Sequence, residues 1–134
     1  MNVVLSPGIF DEIIEHARRE RPNEACGLLA GRSGIAARFI PMVNSLASPT
    51  AYEMEPGQLV AAFRTLREAG EDLIAIVHSH PNGPGHPSSR DVARAYYPEA
   101  AHIIVSFERP DNPTVRGFRV IDGEAVEIEL RAIV

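Results

Sequence analysis

Lysine and tryptophan are absent from these 134 residues, cysteine occurs once, and cationic side chains are outnumbered by acidic ones, 13 against 18. Each shortage excludes something. The lone Cys26 cannot close an intramolecular disulfide, and no charged segment leads into an apolar one at the start of the chain, so a reducing cytoplasm is the expected compartment. The longest apolar run, Leu73 to Val77, stops at His78, far short of the roughly 20 residues that span a bilayer, and no membrane partner is expected. A formal charge of −5 lacks the basic footprint of a protein held to a phosphate backbone, which argues against nucleic acid. All 13 cations are arginine, which leaves the chain without side-chain amines for conjugation; GC-rich codon usage is the simpler reading.

What is present suits a folded enzyme-sized domain. The chain is 45% apolar and 23% charged, close to globular averages, and a domain of this length buries about two-thirds of its unfolded surface without a staple. No repeat, low-complexity tract or linker interrupts it, so residues 1–134 read as one domain. A first helix is expected from Ser6 as N-cap and Pro7 at the first helical position, with Ile9, Phe10, Ile13, Ile14 and Ala17 on one face and Pro22 ending it. Strands are expected at Ala25 to Ala30 and Ala36 to Val43. A second helix should run from Pro56 to a left-handed cap at Gly70.

Leu73 to Val77 then reads as a central strand covered on both faces. The proline- and glycine-rich segment from Pro81 to Pro87 reads as an ordered loop, and a short third helix as running from Ser88 to near Pro98. Antiparallel strands follow around Ile103 to Phe107, Val115 to Ile121 and Ala125 to Leu130, the last two joined by an Asp122-Gly123 hairpin turn. The expected class is α/β in the mixed α+β sense, a mixed and largely antiparallel sheet with three helices packed around it.

The chemistry concentrates at the end of the central strand. In His78-Ser79-His80-Pro81 the two imidazoles are two residues apart, which puts both on one face of a strand, while Pro81 helps to end it. Asp91 lies one turn into the third helix and reaches the same point if the loop folds back. Two imidazoles and one carboxylate form a three-ligand set for Zn²⁺ that leaves a fourth position for water, whereas a closed structural site uses four protein ligands. Each residue also has a plainer reading: strand histidines are often core residues, and Ser88 with Asp91 is a capping box at a helix start.

The string H-S-H-P-N-G-P-G-H-P-S-S-R-D, His78 to Asp91, resembles the H-x-H-P and S-x-x-D signature of the JAMM (MPN-plus) metalloproteases. The stretch Asn23-Glu24-Ala25-Cys26-Gly27-Leu28-Leu29-Ala30-Gly31 resembles the E-x-C-G-L-L-x-G segment that carries that family's catalytic glutamate, and Asn44 to Pro56 is similar to its bacterial, single-domain members. The resemblance implies an MPN/JAMM domain with Zn²⁺ on His78, His80 and Asp91, Glu24 as general base and Ser88 as hydrogen-bond donor to the oxyanion. It further implies hydrolysis of peptide or isopeptide bonds at the Gly-Gly C-terminus of a ubiquitin-like or sulfur-carrier protein. Glu24 rests on the resemblance alone, since Glu53 and Glu55 are nearby competitors. His16, His86 and His102 are read as structural or surface residues, with His86 placed in the loop where substrate passes. Two other readings compete: a thiol hydrolase with Cys26 activated by His78 or His80, and an inactive MPN-type interaction scaffold. A homodimer is left open.

Overall fold

A computed structural model describes residues 2–133. The chain order is β1 (Asn2–Leu5), α1 (Ile9–Glu20), β2 (Cys26–Arg32), β3 (Ile35–Met42), α2 (Pro56–Ala69), β4 (Asp72–His80), α3 (Ser89–Ala93), β5 (Ala101–Ser106), β6 (Thr114–Ile121) and β7 (Glu124–Ala132). The mixed class and the three helices are as expected. The sheet, however, closes into a barrel with strand order β1-β3-β2-β4-β5-β6-β7. Closure depends on β1, four residues that pair in parallel with β3 on one side and β7 on the other. A strand so short carries no readable alternation, and its role is set by partners 31 and more than 120 residues away in sequence. The β2–β3, β2–β4, β5–β6 and β6–β7 ladders are antiparallel, and β4–β5 is parallel.

The central strand runs past Val77, its expected end, to His80, β5 begins at Ala101 and not Ile103, and two helix boundaries also differ from expectation. Helix α1 is capped by Gly8 in the left-handed region, φ 86°, with no side-chain cap, while the Ser6 carbonyl accepts from the Ile9 N–H. The Pro7-Gly8 pair makes a turn that Ser6 precedes, and glycine takes the positive φ without steric cost. Helix α3 stops at Ala93, not near Pro98, with Arg94 as its C-cap, and Arg94 to Ala100 continue as irregular chain held by short-range backbone bonds such as Ala95 N–H to the Val92 carbonyl. Elsewhere the signals hold: Pro56 opens α2, Gly70 is its left-handed C-cap, and Asp122 and Gly123 both take positive φ in the β6–β7 hairpin.

Strand β4 sits between β2 and β5, and its residues from Ile74 to Ser79 are buried. Its side chains alternate between two cores. Ala75 and Val77 pack with Leu5, Ile13, Leu29, Ile103 and Val105 in the cluster that α1 covers. Ile76 faces the other way, with Cys26, Leu28, Met42, Met54 and Ala62 of α2. His78 and His80 continue this second face, so the alternation that orders the core also aims both imidazoles at one side of the sheet.

Candidate metal centre and active site

The rim of this face brings together three of the expected residues. His78 Nε2 lies 3.2 Å from His80 Nε2, and Asp91 Oδ2 is 3.2 Å from the first and 3.1 Å from the second. Three donor atoms at nearly equal edges form the base of a tetrahedron: ligand bonds of about 2.0–2.1 Å to zinc imply edges of about 3.3–3.4 Å. Two imidazole nitrogens and a carboxylate oxygen that converge on one point match the donor set of a divalent cation, so the residues fit the expected metal.

Local structure holds each donor. His80 Nδ1–H donates to the Pro84 carbonyl at 2.8 Å, so the neutral ring would carry its lone pair on Nε2, the tautomer a ligand requires. Pro84 is held by the ordered loop, which Ser106 Oγ on β5 anchors by donating to the Gly83 carbonyl. His78 is 1% exposed and stacks against Tyr52, with ring centroids 4.7 Å apart. Asp91 and Ser88 do form the reciprocal capping box: Ser88 N–H donates to Asp91 Oδ2 and Asp91 N–H to Ser88 Oγ. Capping and convergence on the histidines therefore coexist, and the cap is what orients the carboxylate. Ser88 Oγ accepts in this bond, so its own hydroxyl hydrogen remains free to donate.

Glu24 precedes β2, and the β2–β4 register brings it to the same place. Cys26 is paired with His78, and one residue on, Ser79 N–H donates to the Ala25 carbonyl while Ala25 N–H donates to Ser79 Oγ at 2.7 Å. Continued by one step, the same register carries Glu24 toward His80, whose charge acts on it. The Glu24 backbone is held by the Ser48 carbonyl and by Asn44 Nδ2, yet its carboxyl Oε1 is buried without a partner. Burial pushes this carboxyl up to about 7, against the nearby His80 charge and with that of Asp91. Asp91 is shifted the other way, far below the usual carboxylate range, because bonds from both histidines and Ser88 outweigh its burial. Burial pulls His78 down, while for His80 the bonds to Asp91 and Pro84 prevail and push it up. Two carboxyls with environments that separate their affinities for protons are the usual signature of an acid–base site.

The competing acids are accounted for. Glu55 caps α2, accepting from Gly57 and Gln58 N–H, and Glu53 is exposed. Cys26 is buried, its Sγ near the Met42 carbonyl, and burial pushes the thiol up to about 12, so it is an inert apolar residue and no nucleophile. His16 holds the Cys26 carbonyl, and His86 accepts from Arg116 outside the cluster. His102, expected only to be structural or at the surface, is buried on the wall of a cavity of about 410 Å³ that opens beside Asp91 and Tyr52. Sequence reasoning missed Ser79, Asn44 and the Pro84 carbonyl; of these, only Ser79 carried a signal, its place between the two histidines. Among the described residues no helix is long and apolar enough to cross a membrane.

A His-His-Asp cluster placed to hold a metal ion, at the rim of a small mixed barrel, is what this geometry defines. Residues 6–121 match the family model described as prokaryotic homologs of the JAB domain, and the chain belongs to that family of JAMM/MPN proteins. It is 36% identical over 127 residues, 93% of this chain and 87% of the relative, to the CysO-cysteine peptidase of Mycobacterium tuberculosis (strain ATCC 25618 / H37Rv). It is 38% identical over 122 residues, 90% of this chain and 78% of the relative, to a probable TtuB-protein conjugate cleaving protease of Thermus thermophilus. A Desulfitobacterium hafniense protein solved in solution superposes with a TM-score of 0.88 at 32% identity, over 99% of this chain and 93% of that one. The chain is a JAMM-type peptidase.

Proposed function

We propose that residues 1–134 form one zinc-dependent hydrolase domain that cleaves peptide or isopeptide bonds at the Gly-Gly C-terminus of a ubiquitin-like or sulfur-carrier protein. The near-equilateral triangle of His78 Nε2, His80 Nε2 and Asp91 Oδ2, with the buried Glu24 carboxyl set beside it by strand register, is the observation that carries this reading. The names of the mycobacterial and Thermus relatives support the substrate class. The lone reduced cysteine suits a cytoplasmic setting.

His78, His80 and Asp91 would hold Zn²⁺. Bound there, the ion would lower the pKa of a water from 15.7 to around 7 and polarise the scissile carbonyl. Glu24, beside these residues, would hold a water proton on its carboxyl and return it to the leaving amine. Burial disfavours the charged form of this carboxyl, which suits a group that must accept and then return a proton. Ser88 donates its hydroxyl hydrogen to the carbonyl oxygen as negative charge develops on it, an interaction typically worth about 10²- to 10³-fold in rate.

The test combines elemental analysis with cleavage of matched carrier adducts, one ending in Gly-Gly and one with the penultimate glycine changed to valine. The expected result is about one zinc per chain and selective cleavage of the Gly-Gly adduct, since only glycine passes close to two imidazoles without a side chain in the way. Protein that neither contains nor binds zinc overturns the metal assignment; equal cleavage of both adducts overturns the narrow-channel argument.

A further inference from the structure

The cavity beside the cluster is larger than an extended glycine tail needs, and its wall carries charge that the chemistry above does not use. Its apolar side is Tyr52, Met54, Leu59 and Ile76, and its rim next to Asp91 presents Arg90 and Arg94. The two arginines are four residues apart, at the start and the C-cap of α3, so they are neighbours on one side of that turn. Among the described residues neither takes part in an ion pair, whereas Arg38 and Arg116 each face a glutamate. Both charges are close to the centre. Arg90 is near enough to Glu24 to oppose, in small part, the upward push of burial on that carboxyl, and Arg94 acts likewise on the buried phenol of Tyr52. The wall also holds two acids, Asp91, already engaged by the histidines, and Glu53, whose side chain is exposed.

On the reading that this site cleaves carrier adducts, we infer that the cavity is the leaving-group subsite, and that Arg90 and Arg94 bind the free α-carboxylate of a single amino acid joined through its α-amine to the carrier's last glycine. Guanidinium groups present planar pairs of donors that match a carboxylate, and two of them at the mouth of an apolar cleft hold it more tightly than one in open water. A cavity of about 410 Å³ accommodates one amino acid with room for its side chain against Tyr52 and Met54. A lysine within a folded protein offers no carboxylate at that position, because its backbone continues in both directions. The arrangement therefore selects for release of a free amino acid over release of a protein lysine. The bond broken is the amide between the glycine carbonyl and the α-nitrogen; water supplies the hydroxyl to the glycine and the proton to the amine.

The experiment uses one ubiquitin-like carrier ending in Gly-Gly, joined either to alanine or to alanine amide, which differ only in the carboxylate and avoid a thiol that would itself bind zinc. Zinc-loaded wild-type protein should cleave the acid with a kcat/KM about tenfold to a hundredfold above that of the amide, the scale of one or two charged hydrogen bonds. Arg94→Gln should collapse this ratio toward one, and Arg94→Lys should retain part of it; a merely structural role would lower both rates and leave the ratio intact. Equal rates in wild type, or a ratio that survives in the Arg90→Gln, Arg94→Gln double variant, overturns the inference. If neither adduct is cleaved, the hydrolase reading fails and a second measurement decides this one. NMR titration of zinc-loaded Glu24→Gln protein with Gly-Gly-Ala and its C-terminal amide should show the acid binding at least tenfold more tightly, with shifts at Tyr52 and His102. Equal binding overturns the subsite independently of turnover.

Discussion

Glu24 owes its chemistry to what surrounds it and to what does not. It is 5% exposed, its backbone is held on both sides, and one carboxyl oxygen has no hydrogen-bond donor. An unsatisfied buried carboxylate is costly, so the group holds its proton to about pH 7. Two consequences follow at this scale. Glu24→Gln keeps the shape and loses the proton acceptor, so zinc content should be unchanged while turnover falls by roughly 10²- to 10⁴-fold; near-normal turnover with zinc in place would move the base elsewhere, Glu53 first. In metal-free protein the same substitution should alter stability in a pH-dependent way. A folded-state pKa raised above the unfolded value costs stability as pH rises, so wild type and Glu24→Gln should differ least below about pH 4.5. The variant should gain on wild type through pH 7, by a few kcal/mol at most. Paired denaturation curves at pH 4 and pH 8 read this directly. Cys26 behaves oppositely to a catalytic thiol: with its pKa pushed up to about 12, iodoacetamide should fail to inactivate the folded protein at pH 7–9, whereas a chelator should.

At the scale of elements, two joints carry the site. One is the β2–β4 ladder, where Ser79 is bound to Ala25 both through its backbone and through its hydroxyl. Removing that hydroxyl leaves the Ala25 N–H buried without a partner, which costs about 1–3 kcal/mol, at the residue next to Glu24. Ser79→Ala should therefore lower both the denaturant midpoint and turnover while zinc stays bound, although Ser79 faces away from the metal cluster. The other joint is the start of α3. A helix of five residues is too short to sustain itself, and the Ser88–Asp91 capping box supplies what length does not. Ser88→Ala should cost about 1 kcal/mol for the cap and a further 10²- to 10³-fold in rate for the lost oxyanion donor. Ser88→Thr should restore both; a rate unaffected by the alanine would leave Ser88 with the cap alone.

For the whole molecule, the proposed centre joins distant parts of the chain: β4 would supply two ligands, α3 the third, and the segment before β2 the base. Zinc bound to that arrangement and not to the unfolded chain stabilises the fold by mass action, about 4 kcal/mol at a thousandfold excess over Kd. For a domain of this size that raises Tm by roughly 10–20 °C. Calorimetry with and without chelator should show this gap. His78→Ala and His80→Ala should abolish it along with zinc binding, and His86→Ala, which removes a partner of Arg116 and a ring contact with Phe118, should leave it intact.

The sequence by itself determined the pieces whose causes are local. The two-residue spacing of His78 and His80 sets a common face because strand side chains alternate, and Asp91 three residues after Ser88 is a cap because a helix start leaves N–H groups unpaired. Gly70 and Asp122-Gly123 announced a helix end and a hairpin through the positive φ they tolerate. Resemblance to the JAMM family singled out Glu24, which no spacing rule distinguishes among 18 acids. Only the tertiary structure decided the rest. Strand β1 closes the barrel through partners far along the chain, and the pKa of the Glu24 carboxyl is pushed up because it is buried where the register of β2 on β4 carries it toward His80. The Pro84 carbonyl sets the His80 tautomer, and the Arg90–Arg94 pair faces a cavity built from four separate segments. These are long-range contacts, and their energies depend on burial and on distance in space, neither of which is encoded at any one place along the chain.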